Sequence, residues 1–194
     1  MELELKIAIL GIIGTILGTV VGWLLNNISR TGKLNVYISG WKDTFQYNKI
    51  GCMSPSTTIE QTEYYSYELE TDLYNSSADT KIMRNVEIVF MDGKHPIKTS
   101  IPHDDATKVH RQYFASYYDV EPINIPPKTV LKYKLVNGYN NENDGLDFIW
   151  NTTNIVLSYT NEKCKIKKIP IKAENYRNYF ERHNCISEES ANER

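Results

Sequence analysis

The amino-acid sequence falls into two parts with different hydrophobic patterns. Residues 7–25 form 19 consecutive positions without a charged side chain, whereas from residue 34 onward short runs alternate apolar and polar residues. An α-helix rises about 1.5 Å per residue, so the first part spans about 28 Å, close to the thickness of the hydrocarbon core of a bilayer. We therefore predict a single N-terminal transmembrane helix over residues 7–25 and a linker that ends at residue 33.

Apolar residues recur at every second position in five runs of the second part, and a sixth run returns after a turn with Ile166, Ile169 and Ile171. The runs are residues 34–38, 65–73, 86–90, 131–135, 155–159 and 166–171. A period of two is typical of antiparallel strands with one buried face. Turn-forming residues separate or follow the runs, at positions 75–79, 92–93, 125–128, 137–138 and 143–145. The sequence therefore predicts a mainly β fold, with an antiparallel β-sandwich over residues 34–172.

Residues 173–194 follow a third pattern. Tyr176, Tyr179 and Phe180 recur at helical spacing, and residues 187–194 are dominated by polar side chains. This predicts a short C-terminal helix that docks on the sandwich, followed by a solvated tail.

Three segments of the β region have a recognisable pattern: LYNSS at 73–77, RNVEIVF at 84–90 and IPPKTVL at 125–131. Together they resemble immunoglobulin-like sandwiches of bacterial surface and membrane-anchored proteins. In such domains an Asn-Ser turn leaves one strand and a Pro-Pro turn introduces a later strand. The resemblance covers roughly residues 60–172 and lacks the disulfide and core tryptophan of antibody domains. It implies an immunoglobulin-like fold with a binding or scaffolding role, and it assigns no functional residue.

The charges of the chain limit its classes of function and its orientation. The formal net charge of −2 over 194 residues disfavours a nucleic-acid partner, because phosphate contacts need a clustered excess of cations. The leader lacks a basic region and an Ala-x-Ala cleavage site, so we expect a retained anchor and not a signal peptide. Lys6 precedes the apolar segment, whereas Arg30, Lys33 and Lys42 follow it. This bias favours a cytoplasmic C-terminal domain.

Small residues form a seam along the predicted transmembrane helix. The seam comprises Ala8, Gly11, Gly14, Thr15, Gly18 and Gly22. Helices associate in lipid by close backbone packing, which small residues at every fourth position permit. The seam therefore predicts a homo-oligomer, although glycine is also common in transmembrane helices that do not associate.

An aromatic segment near the middle of the chain is the strongest candidate for contact with a partner. The candidate residues are Arg111, Tyr113, Phe114, Tyr117 and Tyr118. Aromatic residues and arginine dominate the energetics of protein interfaces, so we expect these residues to bind an unidentified protein or signal ligand. The alternative is that the rings cover an open end of the sandwich.

A polar cluster comes just before this aromatic segment. His103, Asp104, Asp105 and His110 combine imidazoles and carboxylates, which are ligands for transition metals. The cluster lacks the fixed spacing of a helical metal motif, and a polar surface loop explains it equally well. The sequence contains no phosphate-binding glycine loop and no recognisable nucleophile motif. We therefore expect no catalytic residues, metal or cofactor, and rank a metal-dependent enzyme as the least favoured hypothesis.

Four lysines at positions 163, 165, 167 and 168 suggest a basic strand face. Lysine on an edge strand prevents pairing with another chain. Basic residues near the cytoplasmic leaflet instead bind anionic lipid. The sequence favours the edge strand and leaves the lipid contact as the alternative.

Two hypotheses for the function follow. The first is a membrane-anchored, non-enzymatic binding or sensing module that self-associates through its glycine-rich helix. The second is an oligomeric effector of a bacterial defence or toxicity system, in which the sandwich senses a signal and the assembled helices perturb the bilayer.

Overall fold

Our computed structural model of the protein describes residues 2–111 and 115–172, together with Tyr176 and Phe180. Tyr176 and Phe180 are helical and buried. The remainder of the predicted C-terminal helix and tail, within residues 173–194, lies outside the described residues.

Most of the described chain consists of β-strands. The strands are β1 (Leu34–Lys49), β2 (Cys52–Pro55), β3 (Tyr64–Asn75), β4 (Lys81–Asp92), β5 (His95–Ser100), β6 (His103–Asp104), β7 (Val109–His110), β8 (Ala115–Ser116), β9 (Ile123–Ile125), β10 (Val130–Asn140), β11 (Asn154–Thr160) and β12 (Ile166–Lys172). The helices are α1 (Glu2–Arg30), α2 (Asn141–Asp144) and α3 (Asp147–Asn151), with one 3₁₀ turn at Asp105–Thr107. All six runs lie in strands, which confirms the mainly β prediction.

Helix α1 is longer than the predicted transmembrane segment. It continues five residues beyond position 25 and ends at Arg30, where the backbone N–H of Thr31 donates to the Ile28 carbonyl at 3.2 Å. The Thr31 hydroxyl donates to the same carbonyl at 2.6 Å and so satisfies one of the carbonyls that a helix end exposes. The linker to β1 is therefore only residues 31–33.

The strands form two antiparallel sheets that pack face to face. The first sheet has the order β2-β1-β3-β10-β6, and the second has the order β12-β11-β4-β5 with β9 also paired to β4. Strands β7 and β8 form a separate two-stranded ribbon. The long strands β1, β3 and β10 pair over nearly their full lengths, and they set the register of the first sheet.

The core lies between the two sheets and takes every second residue of the long strands. Tyr67 and Leu69 of β3 meet Ile88 and Phe90 of β4, and each has a relative exposure of 1% or less. Burying such a side chain contributes about 1.5–3 kcal/mol. The alternation seen in the sequence is thus the alternation of core and solvent faces.

The sequence prediction of a turn at residues 137–138 is wrong. Asn137 and Gly138 lie inside β10, opposite Tyr67 and Ser66 of β3. The Asn137 side-chain amide donates to the carbonyl of Ile101 at 2.8 Å and so ties β10 to the chain beyond β5. Pairing with the long strand β3 therefore outweighs the local turn preference of Asn-Gly.

A buried asparagine explains the two turns on which the family resemblance rests. The Asn75 side-chain amide donates to the carbonyls of Asp79, Ile125 and Pro126 at 2.8–3.0 Å. Its side-chain oxygen accepts from the backbone and the hydroxyl of Ser77 at 2.9 and 2.7 Å. One side chain thus joins the Asn-Ser turn to the Pro-Pro turn at the end of the sandwich from which α1 emerges.

The junction between α1 and the sandwich is closely packed. Gly32 lies against the Ser76–Ser77 peptide, and a Cβ atom at this position would overlap that backbone. The backbone N–H of Lys33 donates to the Ser76 hydroxyl at 3.0 Å, and the backbone N–H of Ser76 donates to the Lys33 carbonyl at 3.0 Å. Arg30 forms an ion pair with Asp79 at 3.2 Å. The helix is therefore fixed to the sandwich at the point where it leaves it.

Candidate functional site

Helix α1 presents its apolar surface to its surroundings. Within Leu3–Ile28 an 18-residue window has a mean hydropathy of 2.2, and none of that window is buried against the sandwich. By length and composition it can span a membrane. No atom outside the local helix backbone comes within 4 Å of where a Cβ would lie on Gly11, Gly14, Gly18 or Gly22.

The polar side chains in the middle of this helix are satisfied by their own backbone. The Thr15 hydroxyl donates to the Gly11 carbonyl at 2.9 Å, and the Thr19 hydroxyl donates to the Thr15 carbonyl at 2.9 Å. Such bonds remove the cost of placing a hydroxyl in lipid. The glycine seam therefore consists of small residues, and the threonine hydroxyls on this part of the helix are already hydrogen-bonded.

The connection between β5 and β9 folds back against the first sheet. Strand β6 pairs with β10 at residues 135 and 136, and the backbone N–H of Asp104 donates to the Tyr118 carbonyl at 3.1 Å. The backbone N–H of Val120 also donates to the Pro102 carbonyl at 3.0 Å. These bonds bring the two candidate clusters of the sequence, around His103 and around Tyr117, into one place.

The folded connection and the first sheet enclose an open groove of about 440 Å³. Its residues are Ser66, Tyr67, Glu68, His103, Asp105, Lys108, Tyr117, Lys134, Val136, Asn137 and Gly138. Tyr117 stacks on His103 with 6.1 Å between ring centroids, and the Lys108 ammonium lies 5.6 Å from the Tyr117 ring centroid. We call this site the Tyr117 groove.

The charges that line the Tyr117 groove are arranged in pairs. Lys134 lies 2.8 Å from Glu68 and 3.8 Å from Asp105. The hydrogen bond from Lys134 holds the pKa of Glu68 below its usual value, and the same bond raises the pKa of Lys134. His103 Nδ1 lies 2.9 Å from Asp119 Oδ1 but outside hydrogen-bond geometry. The groove thus offers a stacked aromatic wall beside hydrogen-bonding groups, an arrangement suited to binding.

The predicted partner residues fall in different places. Tyr117 lines the groove, and Tyr118 is 69% exposed beside it. Arg111 lies on the surface at the start of the gap in the described chain. Tyr113 and Phe114 lie outside the described residues. Tyr117 lines the groove together with Ser66, Tyr67 and Glu68 of β3 and Lys134, Val136, Asn137 and Gly138 of β10.

The polar cluster at 103–110 is used structurally. The Asp104 carboxylate accepts from the backbone N–H of Ala106 at 2.9 Å and caps the 3₁₀ turn. Among the described residues, no group of three His, Cys, Asp or Glu side chains is placed to hold a metal ion. His103 instead forms part of the aromatic wall of the Tyr117 groove.

A buried polar network in the core was not foreseen from the sequence. The Asp43 side chain is 3% exposed, and its Oδ2 lies 2.7 Å from Lys172 Nζ. Its Oδ1 accepts from the hydroxyls of Tyr65 and Tyr176 at 2.8 and 2.9 Å. Burial, followed by the neighbouring Asp43 charge, raises the pKa of Tyr176, and burial also raises the pKa of Tyr65. The sequence does contain one sign of this network: Asp43 lies between Trp41 and Phe45 at every second position, and so on the apolar face of β1.

Lys163, Lys165 and Lys167 do not share one strand face, contrary to the prediction from their alternation. Lys163 and Lys165 lie in the turn before β12, and only Lys167 and Lys168 belong to the strand. The Asn161 side-chain oxygen causes this by accepting from the backbone N–H groups of both turn lysines, at 3.0 and 2.9 Å. Strand β12 does lie at an edge of its sheet, as expected.

Comparison with known proteins finds one family model and several solved structures. Residues 32–172 match the family model described as the YopI Ig-like domain. The chain is similar in structure to a Bordetella pertussis protein described as ApaA, with 10% identity, a TM-score of 0.34, and 74% and 91% of the two chains covered. It is also similar to an uncharacterized β-sandwich protein of Clostridium difficile 630, with 12% identity, a TM-score of 0.33, and 72% and 86% covered. No curated protein matches the chain. Because the family model spans the whole sandwich from the end of α1 to the end of β12, the chain belongs to the YopI Ig-like domain family.

Proposed function

We propose that this protein is a single-pass membrane protein whose immunoglobulin-like sandwich is a non-enzymatic binding module on the cytoplasmic side. The observation that carries the proposal is the exposure of the helix along Leu3–Ile28, where the large apolar side chains are 44–71% exposed. Exposed apolar surface costs about 25 cal/mol per Å² in water, whereas lipid removes this cost. Arg30 and Lys33 directly follow the stretch, and cations at this end favour a cytoplasmic domain.

We also propose that α1 associates with copies of itself through the glycine seam. The space around Gly14, Gly18 and Gly22 is open, so a second helix can approach the backbone closely. The hydroxyls of Thr15 and Thr19 already bond to their own helix. Association therefore depends on dispersion contacts between backbones, which fall off steeply when a larger side chain separates them.

Replacing Gly18 by isoleucine tests the membrane anchor and the seam together. We expect both the parent and Gly18→Ile to stay in the membrane fraction after alkaline carbonate extraction, because the segment stays apolar. We expect crosslinking between copies to fall by about tenfold in Gly18→Ile, since the branched side chain separates the backbones. Leu17→Ile, one position away from the seam, is the control and should leave crosslinking unchanged. Release of the parent by carbonate contradicts the anchor, and equal crosslinking in all three proteins contradicts the seam.

The partner of the sandwich is proposed to bind at the Tyr117 groove. Tyr118 is 69% exposed at its rim, and Tyr117 with Lys108 forms a wall in which a cation lies over an aromatic ring. Tyrosine supplies a large contact area with few rotatable bonds and is enriched at the centres of interfaces. A protein partner that places a side chain against this wall fits the site better than a metal or a catalytic substrate.

Site-specific photocrosslinking locates this contact. We expect p-benzoylphenylalanine in place of Tyr118 to give a crosslinked product in cells, because the side chain stands at the rim of the groove. The matched control carries the same group in place of Tyr37, a tyrosine of β1 that is 57% exposed on the same sheet. Equal products from both positions, or a product from Tyr37 alone, would place the contact elsewhere.

The effector hypothesis is less well supported by the helix. A water-filled pore needs a polar face on the helices that line it. The central hydroxyls of α1 bond to its own backbone, and the middle of the helix carries no charge. Loss of the membrane potential on expression would favour the effector over the binding module.

A further inference from the structure

Five lysines surround the point at which α1 leaves the sandwich. A groove of about 460 Å³ at this end is lined by residues 31–34 of the linker and β1 and by residues of the turn before β12. Six lysines line it: Lys81, which pairs with Glu162, and five others, Lys33, Lys163, Lys165, Lys167 and Lys168. We call these five the basal lysine cluster. Folding therefore joins a lysine at the end of the apolar helix to four lysines about 130 positions further along the sequence.

Within the part of the chain that the structure describes, the basal lysine cluster has no carboxylate partner. The groove is also lined by Glu162 and Lys81, and these two residues pair with each other at 2.9 Å. Lys163, Lys165, Lys167 and Lys168 are all exposed. A cluster of this kind attracts anions over about a Debye length.

The position of α1 brings the cluster close to the bilayer surface. Gly32, which lines the groove, is four residues beyond Ile28, the last residue of the apolar stretch. Four residues reach at most about 14 Å, and the headgroup layer on each side of a bilayer is about 5–8 Å thick. The groove therefore begins within about 8 Å of the headgroups, which is the Debye length at physiological salt.

Protection of an edge strand accounts for only part of the cluster. Lys167 and Lys168 belong to β12, but Lys163 and Lys165 lie in the turn and Lys33 lies in the linker. Ile166, between the lysines, is 68% exposed. An exposed apolar side chain flanked by lysines is typical of surfaces that touch the boundary between headgroups and acyl chains.

We propose that the basal lysine cluster binds the anionic phospholipid headgroups of the leaflet from which the C-terminal end of α1 emerges. This inference rests on the proposed membrane insertion of α1. Each lysine that reaches anionic lipid strengthens the contact by about fivefold. Since α1 already holds the domain at the membrane, the contact does not anchor the protein. It collects anionic lipid around the helix.

Two natural cysteines allow a direct test on the full-length protein. Cys164 is exposed within the cluster, whereas Cys52 is exposed at the opposite end of β1, about 50 Å away by strand length. Two labelled proteins are prepared, both with Cys185→Ser. One carries a fluorescent donor only on Cys164, and the other carries it only on Cys52. The proteins are placed in nanodiscs of mixed phosphatidylcholine and phosphatidylglycerol. The acceptor is carried on the acyl chain of one lipid or the other, so that both headgroups stay native.

We expect energy transfer from Cys164 to labelled phosphatidylglycerol to show at least about a twofold enrichment over labelled phosphatidylcholine. The enrichment should disappear at 1 M salt, where the Debye length is about 3 Å. Cys52 should show no preference between the lipids.

The variant with Lys163, Lys165, Lys167 and Lys168 all replaced by glutamine should lose the enrichment. The matched control replaces four exposed lysines elsewhere, Lys42, Lys49, Lys94 and Lys132, and should retain it. Equal transfer to both lipids in the parent, or enrichment that survives the first variant, overturns the proposal. Failure of the parent to enter nanodiscs of either composition would instead count against the anchor, so the two failures are distinguishable.

Discussion

Asp43→Leu is expected to lower the free energy of unfolding of the sandwich by about 3–5 kcal/mol, because it removes the carboxylate of a mostly buried ion pair. Lys172 lies 2.7 Å from Asp43, with side-chain exposures of 23% and 3%. The substitution also removes the acceptor for the hydroxyls of Tyr65 and Tyr176. Urea unfolding of the full-length protein in detergent, followed by near-ultraviolet circular dichroism, measures the change.

A second substitution separates the ion pair from simple loss of packing. Asp43→Leu combined with Lys172→Met removes both charges and should recover much of the lost stability, since apolar side chains often replace a buried ion pair at little cost. Glu68→Ala breaks the half-exposed pair with Lys134 and should cost at most about 1 kcal/mol. A double variant as unstable as Asp43→Leu would show that the charge of Lys172 is not the cause.

The second large effect is a steep loss of stability in alkali. Burial raises the pKa values of Tyr65, Tyr67 and Tyr176 well above the ordinary value of 10.0. In the unfolded chain these hydroxyls ionise near pH 10, whereas in the folded protein they keep their protons. Above pH 10 the unfolded state therefore binds fewer protons, so stability is fully present below this pH and falls as the pH rises.

The expected slope follows from the number of tyrosines involved. Each contributes about 1.4 kcal/mol per pH unit, so three of them give about 4 kcal/mol per unit once the unfolded tyrosines are ionised. Urea midpoints measured between pH 8 and pH 12 test this. Tyr67→Phe removes one ionising group and should reduce the slope by about 1.4 kcal/mol per pH unit. Stability that stays constant through this range would show that the tyrosines ionise within the folded protein.

The parts of the fold that the sequence predicts are those encoded by neighbouring residues. The uncharged run of residues 7–25 lies within helix α1, as its length and apolar composition predict. The alternation from Tyr65 to Leu73 survives as β3 because each inward residue enters the core independently of its partner strand. Such signals need no knowledge of which strands pair.

The candidate sites depend on residues that are distant in sequence, and for that reason they were only partly predicted. Asp43 and Lys172 are 129 positions apart, so no local pattern links them. The stacking of Tyr117 on His103 arises only because the connection folds back along β10. The sequence also predicts one strand face for Lys163, Lys165 and Lys167, which is wrong. The turn that contains Lys163 and Lys165 is formed by hydrogen bonds from their backbone N–H groups to the Asn161 side chain, and such bonds do not change the hydrophobic pattern.

The close contact at Gly32 has a mechanical consequence. A flexible linker would let the sandwich tumble over the membrane within a radius set by linker length. Here the Arg30–Asp79 ion pair and the Lys33–Ser76 hydrogen bonds hold the two sides of a three-residue junction together. The helix and the sandwich therefore move together, so a rotation of α1 about its long axis turns the sandwich by the same angle. In the proposed association of α1 with copies of itself, the side of α1 that packs against its neighbour would therefore fix the direction in which the Tyr117 groove opens.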